Sequence, residues 1–348
     1  MADLQLLRPT NLVVVPRLMN KIHDGIHFKM RQEGPKKYAF FQKALAAKIE
    51  KLREDGSVTH PEYDKMLFDK LKMSLGGRVE TMTTGSAPIQ RDVLEFMRVV
   101  FAAKIIEGYG QTESSAGSFM TGKEERTCGH VGGVMPSVEF KLEDVPELGY
   151  LHTDKPCPRG EVCLRGPAVI PGYFKKPEKT KETIDERGWL HTGDIGELQS
   201  GGRLRLVDRK KNIFKLSQGE YIAPEKIEAV LQTAPLVQQA FVDGNSLRDH
   251  VVAVVVPDEE VVMLVAKKAG LEGDFKTLCA GPALRGMLAK QIAEAGEKAN
   301  LNGLERVGEH FHVCAEPWLP GGLLTPTLKL KRDQARKAFA KELEALYA

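Results

Sequence analysis

Four short stretches of this sequence carry residue types that could hold or transform a phosphorylated ligand. The first is Tyr109-Gly110-Gln111-Thr112-Glu113. An aromatic ring can stack on a base, a threonine hydroxyl can meet a phosphate, and a carboxylate can hold Mg²⁺. The bland alternative is a tight loop with a solvated glutamate, and five residues alone favour it. The second stretch runs from Gly188 to Asp194 and ends His191-Thr192-Gly193-Asp194. A carboxylate after a glycine turn can accept two hydrogen bonds from a vicinal diol such as ribose, or simply cap an Asx turn. The third is Asp208-Arg209-Lys210-Lys211 with Gly219 and Pro224 to Glu228 behind it, a charge run that reads either as a solvated linker or as a hinge between domains. The fourth is Leu324-Thr325-Pro326-Thr327-Leu328-Lys329, where a loop lysine is ordinarily surface.

Other chemistries find no footing. No Ser-His-Asp or Cys-His pattern suggests a protein nucleophile, and none of the nine histidines lies in a metal-ligand motif such as HExxH. Cysteines stand at 128, 157, 163, 279 and 314. The number is odd and no pair has CxxC spacing, which argues against a disulfide framework and a zinc site and for a reducing compartment. Fifty basic and 47 acidic residues leave a net charge of +3, so no nucleic-acid footprint is expected, although a local pocket can still suit anionic substrates. The longest apolar runs, such as Val251 to Val256, are too short to span a bilayer. Residues 1–10 carry no signal-peptide pattern, and Leu346-Tyr347-Ala348 is no peroxisomal address.

The elements that must position these residues fall into three regions. Residues 11–15 read as a short buried strand ended by Pro16. Residues 36–53 have helical apolar spacing at Tyr38, Phe41, Leu45, Ile49 and Leu52, and 61–75 form a second helix. Residues 79–84 make a strand leading into Gly85-Ser86-Ala87-Pro88, followed by a helix over 90–101 and a strand over 104–108. This alternation predicts a largely parallel α/β sheet. From 129 to 207, Gly and Pro punctuate short apolar runs, which predicts a β-rich piece, a small barrel or distorted sheet. After 211 comes an α+β region: a helix opened by Pro224, strands over 239–242 and 251–256, a helix from Asp258 to Gly270, and a helical last 15 residues. The expected domains are 1–128, 129–207, a hinge at 208–211, and a mobile lid at 212–348.

Taken together and in order, the four stretches resemble the motifs of the adenylate-forming superfamily of acyl- and aryl-CoA synthetases, adenylation domains and luciferases. The nearest likeness is to eukaryotic-type long-chain fatty acyl-CoA synthetases. It is carried by Arg8-Pro9-Thr10, Val15-Pro16-Arg17-Leu18, Glu107 to Glu113, Gly188 to Gly196, and above all Val207 to Leu216 and Gln218 to Glu228. The likeness runs over nearly the whole chain. The resemblance implies an acid–thiol ligase that forms an acyl-adenylate from a fatty acid and ATP with Mg²⁺, then passes the acyl group to coenzyme A. By the same resemblance, Gly85, Ser86, Ala87 and Tyr109 flank the adenine, Thr112 contacts the α-phosphate, and Glu113 holds Mg²⁺. Asp194 takes the ribose hydroxyls with Arg209 beside it, Lys211 is the hinge, Gly219 admits the pantetheine arm, and Lys329 is the adenylation lysine. The superfamily commonly has glycine directly before that lysine; Leu328 stands there instead, as in the long-chain subtype.

One departure is larger. The family grips the β- and γ-phosphates with a Ser/Thr/Gly-rich loop ending Pro-Lys-Gly, and no such loop occurs in these 348 residues. Met1 falls where the family's chain is already past it, so about half of the family's length is absent. The expectations are therefore little adenylation by the chain as written, poor autonomous stability for 1–207, and independent folding for 212–348. A separately encoded N-terminal half and peripheral membrane contact join fatty acid and coenzyme A as expected partners, with a cytoplasmic location. The competing readings are a non-catalytic nucleotide- or partner-binding remnant of the same fold, and another acid–CoA ligase.

Overall fold

A computed structural model describes residues 2–87, 89–326 and 328–347; Pro88 and Thr327, both inside motifs singled out above, lie outside the described residues. The chain divides into two compact units, Met1–Leu206 and Val207–Ala348.

In the first unit, strands β1 (Asn11–Val13), β2 (Thr81–Gly85), β3 (Lys104–Tyr109), β4 (Phe119–Met120) and β5 (Gly133–Val134) form one sheet in chain order. The β1–β2 and β2–β3 pairs are parallel and the β3–β4 and β4–β5 pairs antiparallel. The crossover from β2 to β3 is the helix Arg91–Phe101, buried along its length from Val93 onward. Its Phe96 and Met97 pack with Met82 of β2, Ile105 of β3 and Phe41 of the long helix Pro35–Asp55. The run after residue 10 departs from expectation. Its strand stops at Val13, which is 84% exposed at the sheet's edge, so this is not the buried strand that an apolar run suggested. The chain then enters the helix Pro16–Gln32, whose buried Met19, Ile22, Ile26 and Met30 recur at helical spacing. Pro16 opens that helix as well as ending the strand, because the first helical position needs no backbone N–H.

Residues 61–75 are helical but irregular, with a π-turn over Asp64–Phe68. That turn carries Asp64 inward to meet Lys48 Nζ at 2.5 Å, and the ammonium also lies 4.5 Å from the centroid of the Phe68 ring. Strands β6 (Glu139–Glu143), β7 (Arg159–Arg165), β8 (Leu190–Gln199) and β9 (Arg203–Arg209) form a second sheet in sequence order. It corrects the expected small barrel: among the described residues no pairing joins β9 back to β6. Closure needs strands tilted and sheared around a full circle, and four short strands leave the meander open. One face, with Val162, Leu164, Leu190 and Leu204, is apolar and packs on Phe119 and Val131.

In the second unit, β10 (Phe214–Lys215) pairs with β11 (Tyr221–Ile222). Strands β12 (Val237–Asp243), β13 (Val252–Pro257) and β14 (Phe311–Val313) form a mixed sheet. β13 is buried on both faces. Its Ala253 and Val255 face a core shared with the helices Pro224–Leu231, Glu259–Ala269, Phe275–Ala280 and Pro282–Lys298, while Val252, Val254 and Val256 face one shared with Ala335 and Leu343. Asp258 caps its helix by accepting from Val261 N, and Gly270 ends it at φ 68°. The helices over 275–280 and 282–298 went unread in the sequence, and the C-terminal helix is two, Arg332–Ala338 and Ala340–Ala345.

Removing one partner of a buried ion pair leaves the other charge uncompensated, and here Lys48 is fully buried. Asp64→Ala is expected to destabilise the first unit by about 3–5 kcal/mol, read from urea unfolding of the full chain. A cost near that of a surface substitution would contradict it.

Candidate functional site

The parallel pairing of β2 and β3 sets Gly85 opposite Gly108, so the two strands end side by side at their carboxyl edge. At that edge α/β sheets hold ligands. The approach is close: a Cβ on Gly85 would lie 2.6 Å from the Gly108 carbonyl oxygen, and one on Gly110 only 1.5 Å from that of Ala116. Glycine at 110 thus lets the loop fold back under β3. Beyond it, Thr112–Ser114 makes one 3₁₀ turn, closed when Gln111 N donates to Ser114 Oγ at 3.2 Å. Ser86, just past β2, holds φ +71°, a left-handed turn that directs the chain away from the edge.

The structure brings two of the sequence-selected residues into direct contact. Tyr109 donates its hydroxyl to Asp194 Oδ2 at 2.7 Å, and each residue is only 7% exposed. Asp194 sits on β8, where Gly193 N donates to Glu161 Oε1 at 3.0 Å and Asp194 N to Thr192 Oγ1 at 3.1 Å. Glu113 is half-buried; its Oε1 accepts from the Tyr173 hydroxyl at 2.7 Å, and its carbonyl accepts from Ile170 N at 2.9 Å. Thr112 is exposed. Two buried polar atoms near this edge lack partners in the described structure, Gln111 Nε2 and Thr84 Oγ1. A donor and a hydroxyl left unpaired in such a place suit a ligand rich in acceptor oxygens.

The sequence reading missed Tyr173 and Glu161, whose roles depend on partners 60 and 32 residues away. It quoted Glu107 only as part of a motif. Glu107 is buried in β3, and burial pushes its carboxyl up to about 7 against the opposing charge of Arg98.

Arg209, Lys211, Gly219 and Lys329 belong to the second unit, whereas Gly85, Ser86, Ala87, Tyr109, Thr112, Glu113 and Asp194 belong to the first. Arg209 ends β9, Lys211 is exposed, and Gly219 is exposed at φ +94°. Within the charge run, Asp208 does not fit the solvated-linker alternative. It is buried, and its carboxylate accepts from Arg209 N at 2.6 Å and from Glu225 N, in the first turn of Pro224–Leu231, at 2.9 Å. Burial and the charge of Glu225 push it up to about 7. Lys329 is exposed on a tight turn in which its N donates to Thr325 Oγ1 at 3.0 Å and Thr325 N donates to its carbonyl at 2.8 Å. Three residues on, Arg332 anchors the turn, donating to Glu228 Oε1 at 2.6 and 2.9 Å. Glu228 also accepts from Val242 N at 2.7 Å, so the arginine ties the turn to both the helix Pro224–Leu231 and β12.

The profile of a family described as "AMP-binding enzyme" matches residues 1–174. Over 347 residues the chain is 44% identical to the peroxisomal long chain acyl-CoA synthetase 6 of Arabidopsis thaliana, covering 99% of this chain and 49% of that protein. It is 43% identical to fatty acyl-CoA synthetase A of Dictyostelium discoideum, covering 99% and 52%. It is 42% identical to human long-chain-fatty-acid–CoA ligase 1, covering 100% and 49%. The chain thus spans about half the length of the curated relatives it matches. Among solved structures, the adenylation domain of the carboxylic acid reductase from Segniliparus rugosus, in complex with AMP and a carboxylic acid, superposes with a TM-score of 0.78. The two are 32% identical, over 99% of this chain and 48% of that one.

Glu107 supplies a pH test. Because its folded carboxyl is raised, the folded state holds a proton that the unfolded state releases at about 4.5. Its contribution is complete below that value and is lost as the pH rises through about 7. The first unit should lose about 3 kcal/mol across that window. Glu107→Gln should remove that share of the dependence in urea unfolding measured from pH 4.5 to 8, leaving the share that the raised Asp208 and Glu228 supply in the second unit.

Proposed function

Because the chain belongs to the AMP-binding enzyme family, we propose that it is the nucleotide-holding and lid-bearing part of a long-chain fatty acid–CoA ligase. The observation that carries this reading is the Tyr109–Asp194 hydrogen bond at the carboxyl edge of β2 and β3. It locks an aromatic ring and a carboxylate together at the place where an adenosine would lie, the ring for the base and the carboxylate for the ribose. Identities of 41–44% to long-chain synthetases, against 32% to a carboxylic acid reductase domain, favour a fatty acid as the acid activated.

In this reading Gly85, Ser86 and Ala87 flank the adenine, which Gly85 permits by leaving the strand edge without a Cβ. Asp194, held by Tyr109, accepts from the ribose hydroxyls, with Arg209 beside them. The fatty acid carboxylate attacks the α-phosphorus of ATP and pyrophosphate leaves. Thr112 meets an α-phosphoryl oxygen. Glu113 would hold Mg²⁺, a fit supported by an oxygen ligand that Tyr173 already orients; the ion supplies neutralisation of phosphate charge. Lys329 places an ammonium against the charge that develops on the α-phosphoryl oxygens, and the Arg332–Glu228 pair keeps its turn in place. No side chain becomes covalently bound, so the protein positions and neutralises. The coenzyme A thiolate then attacks the acyl-adenylate and AMP leaves. For that second half-reaction Lys211 is the hinge, and Gly219 leaves room for the pantetheine arm.

Two measurements test the proposal. AMP binding to the 348-residue chain, followed by calorimetry, should show one site that Asp194→Ala weakens about tenfold to a hundredfold without altering circular dichroism. Equal affinity in the variant would overturn the nucleotide assignment. ATP–pyrophosphate exchange with palmitate and Mg²⁺ should stay at background for this chain alone, since no phosphate-gripping loop occurs in it. Exchange should rise when the N-terminal half of a long-chain synthetase is supplied as a separate polypeptide, and fall about a hundredfold or more with Lys329→Ala. Exchange by the chain alone would refute the reasoning from the loop, and exchange indifferent to Lys329 would refute the ligase mechanism.

A further inference from the structure

On the polar face of the β6–β9 sheet, three strands bring a thiol, an imidazole and a carboxylate together. Lys141 of β6 lies opposite Cys163 of β7, which lies opposite His191 of β8, and Glu143 lies two residues along β6. Cys163 Sγ is 3.6 Å from His191 Nδ1 and 3.9 Å from Glu143 Oε2, and one ligand atom from each of the three residues lies within 4.8 Å of the others. Ligands of a tetrahedral ion bonded at about 2.0–2.3 Å stand about 3.3–3.8 Å apart, so only small rotations separate this cluster from coordination. Cys163 is fully buried beneath half-buried His191 and Glu143, which leaves an approach from the surface.

The imidazole is also oriented as a ligand's would be. Its Nδ1 faces the sulfur, with Glu161 Oε2 3.9 Å away, while its Nε2 faces Asp185 Oδ2 at 3.9 Å. Asp185 is fixed in turn, since its Oδ1 accepts from Arg187 N at 2.9 Å and Trp189 N at 2.8 Å. Carboxylates stand 3.9 Å from both ring nitrogens, beyond direct hydrogen-bond reach, so an ion that takes Nδ1 would leave Nε2–H turned toward Asp185, the usual backing of a metal-bound histidine. The carboxylates Glu143, Glu161 and Asp185 face the imidazole and sulfur, and the nearby cation is Lys141, whose Nζ lies 2.5 Å from Glu143 Oε2.

We propose that Cys163, His191 and Glu143 form a site for a zinc-type divalent cation, with Asp185 positioning the histidine and water completing the coordination. Thiolate with imidazole selects a borderline-soft ion over Mg²⁺ or Ca²⁺. The sulfur binds as thiolate, its proton passing to solvent, and the ion displaces the Lys141 ammonium from Glu143. Bound there, it joins β6, β7 and β8 on the face opposite the apolar core, three residues along β8 from Asp194.

The test uses the full chain freed of metal by a chelator and titrated with Co²⁺, then Zn²⁺. We expect one equivalent of Co²⁺ to give a thiolate-to-cobalt charge-transfer band that Zn²⁺ abolishes, and Zn²⁺ to raise the melting temperature. Cys163→Ser should lose the band although four other cysteines remain. Asp185→Asn should weaken binding about tenfold to a hundredfold, and Lys141→Met should bind at least as tightly as the parent. No band in the folded parent chain, or a band that survives in Cys163→Ser, overturns the proposal; so does a Lys141→Met variant that binds more weakly.

Discussion

The parallel pairing of β2 with β3 is the constraint from which the candidate site follows. Side chains cannot be brought to a sheet edge one at a time, because strand register fixes all of them together. Gly85 opposite Gly108 aligns the ends of both strands, and the helix Arg91–Phe101, buried along nearly its whole length, holds that register by packing Phe96 and Met97 on Met82 and Ile105. The loop from Gly110 to Ser115 then leaves β3 in one direction only, since the contact of Gly110 with the Ala116 carbonyl admits no side chain. Tyr109, the last residue of β3, reaches a second sheet and finds Asp194.

Buried charge is the second organising theme. In each unit several buried carboxylates are held by defined donors. Glu95 accepts from Arg53 and Arg91, Asp64 takes Lys48, and Glu228 takes Arg332. Such pairs contribute less to net stability than their Coulomb energy suggests, because both partners give up hydration. Their value here is geometric. Arg332 donates to Glu228 from both terminal nitrogens, which ties the segment just after the Lys329 turn to the helix Pro224–Leu231. Pairing does not always outweigh burial: Glu228 is pushed up to about 8 despite Arg332, and Glu107, opposed only by the charge of Arg98, up to about 7.

Much of the skeleton was legible in the residues. Helical spacing located Pro35–Asp55, the alternation over 79–108 gave the parallel β2–β3 unit, and Pro224, Asp258 and Gly270 marked helix ends with their own chemistry. The failures have physical causes. Apolar composition without periodicity could not show that Val13 lies on an exposed edge, and Pro16 served two purposes where one was read. The alternation over 139–209 identified strands, while the choice between a closed barrel and an open meander depends on a pairing between first and last strands that no local pattern encodes.

The sequence by itself determined the order of the motifs, the family they resemble, and which residue types could meet a nucleotide, because those depend on identity and spacing along the chain. Only the tertiary structure decided that Tyr109 grips Asp194 across 85 residues, that Tyr173 orients Glu113, and that Asp208 is a buried helix-capping acid within an apparent solvated run. It also decided the grouping of Cys163, His191 and Glu143. Cysteine spacing argued against a zinc site, but spacing arguments see ligands that share one local segment. Here each ligand comes from a different strand, and lateral pairing of β6, β7 and β8 makes neighbours of residues 20 and 28 positions apart.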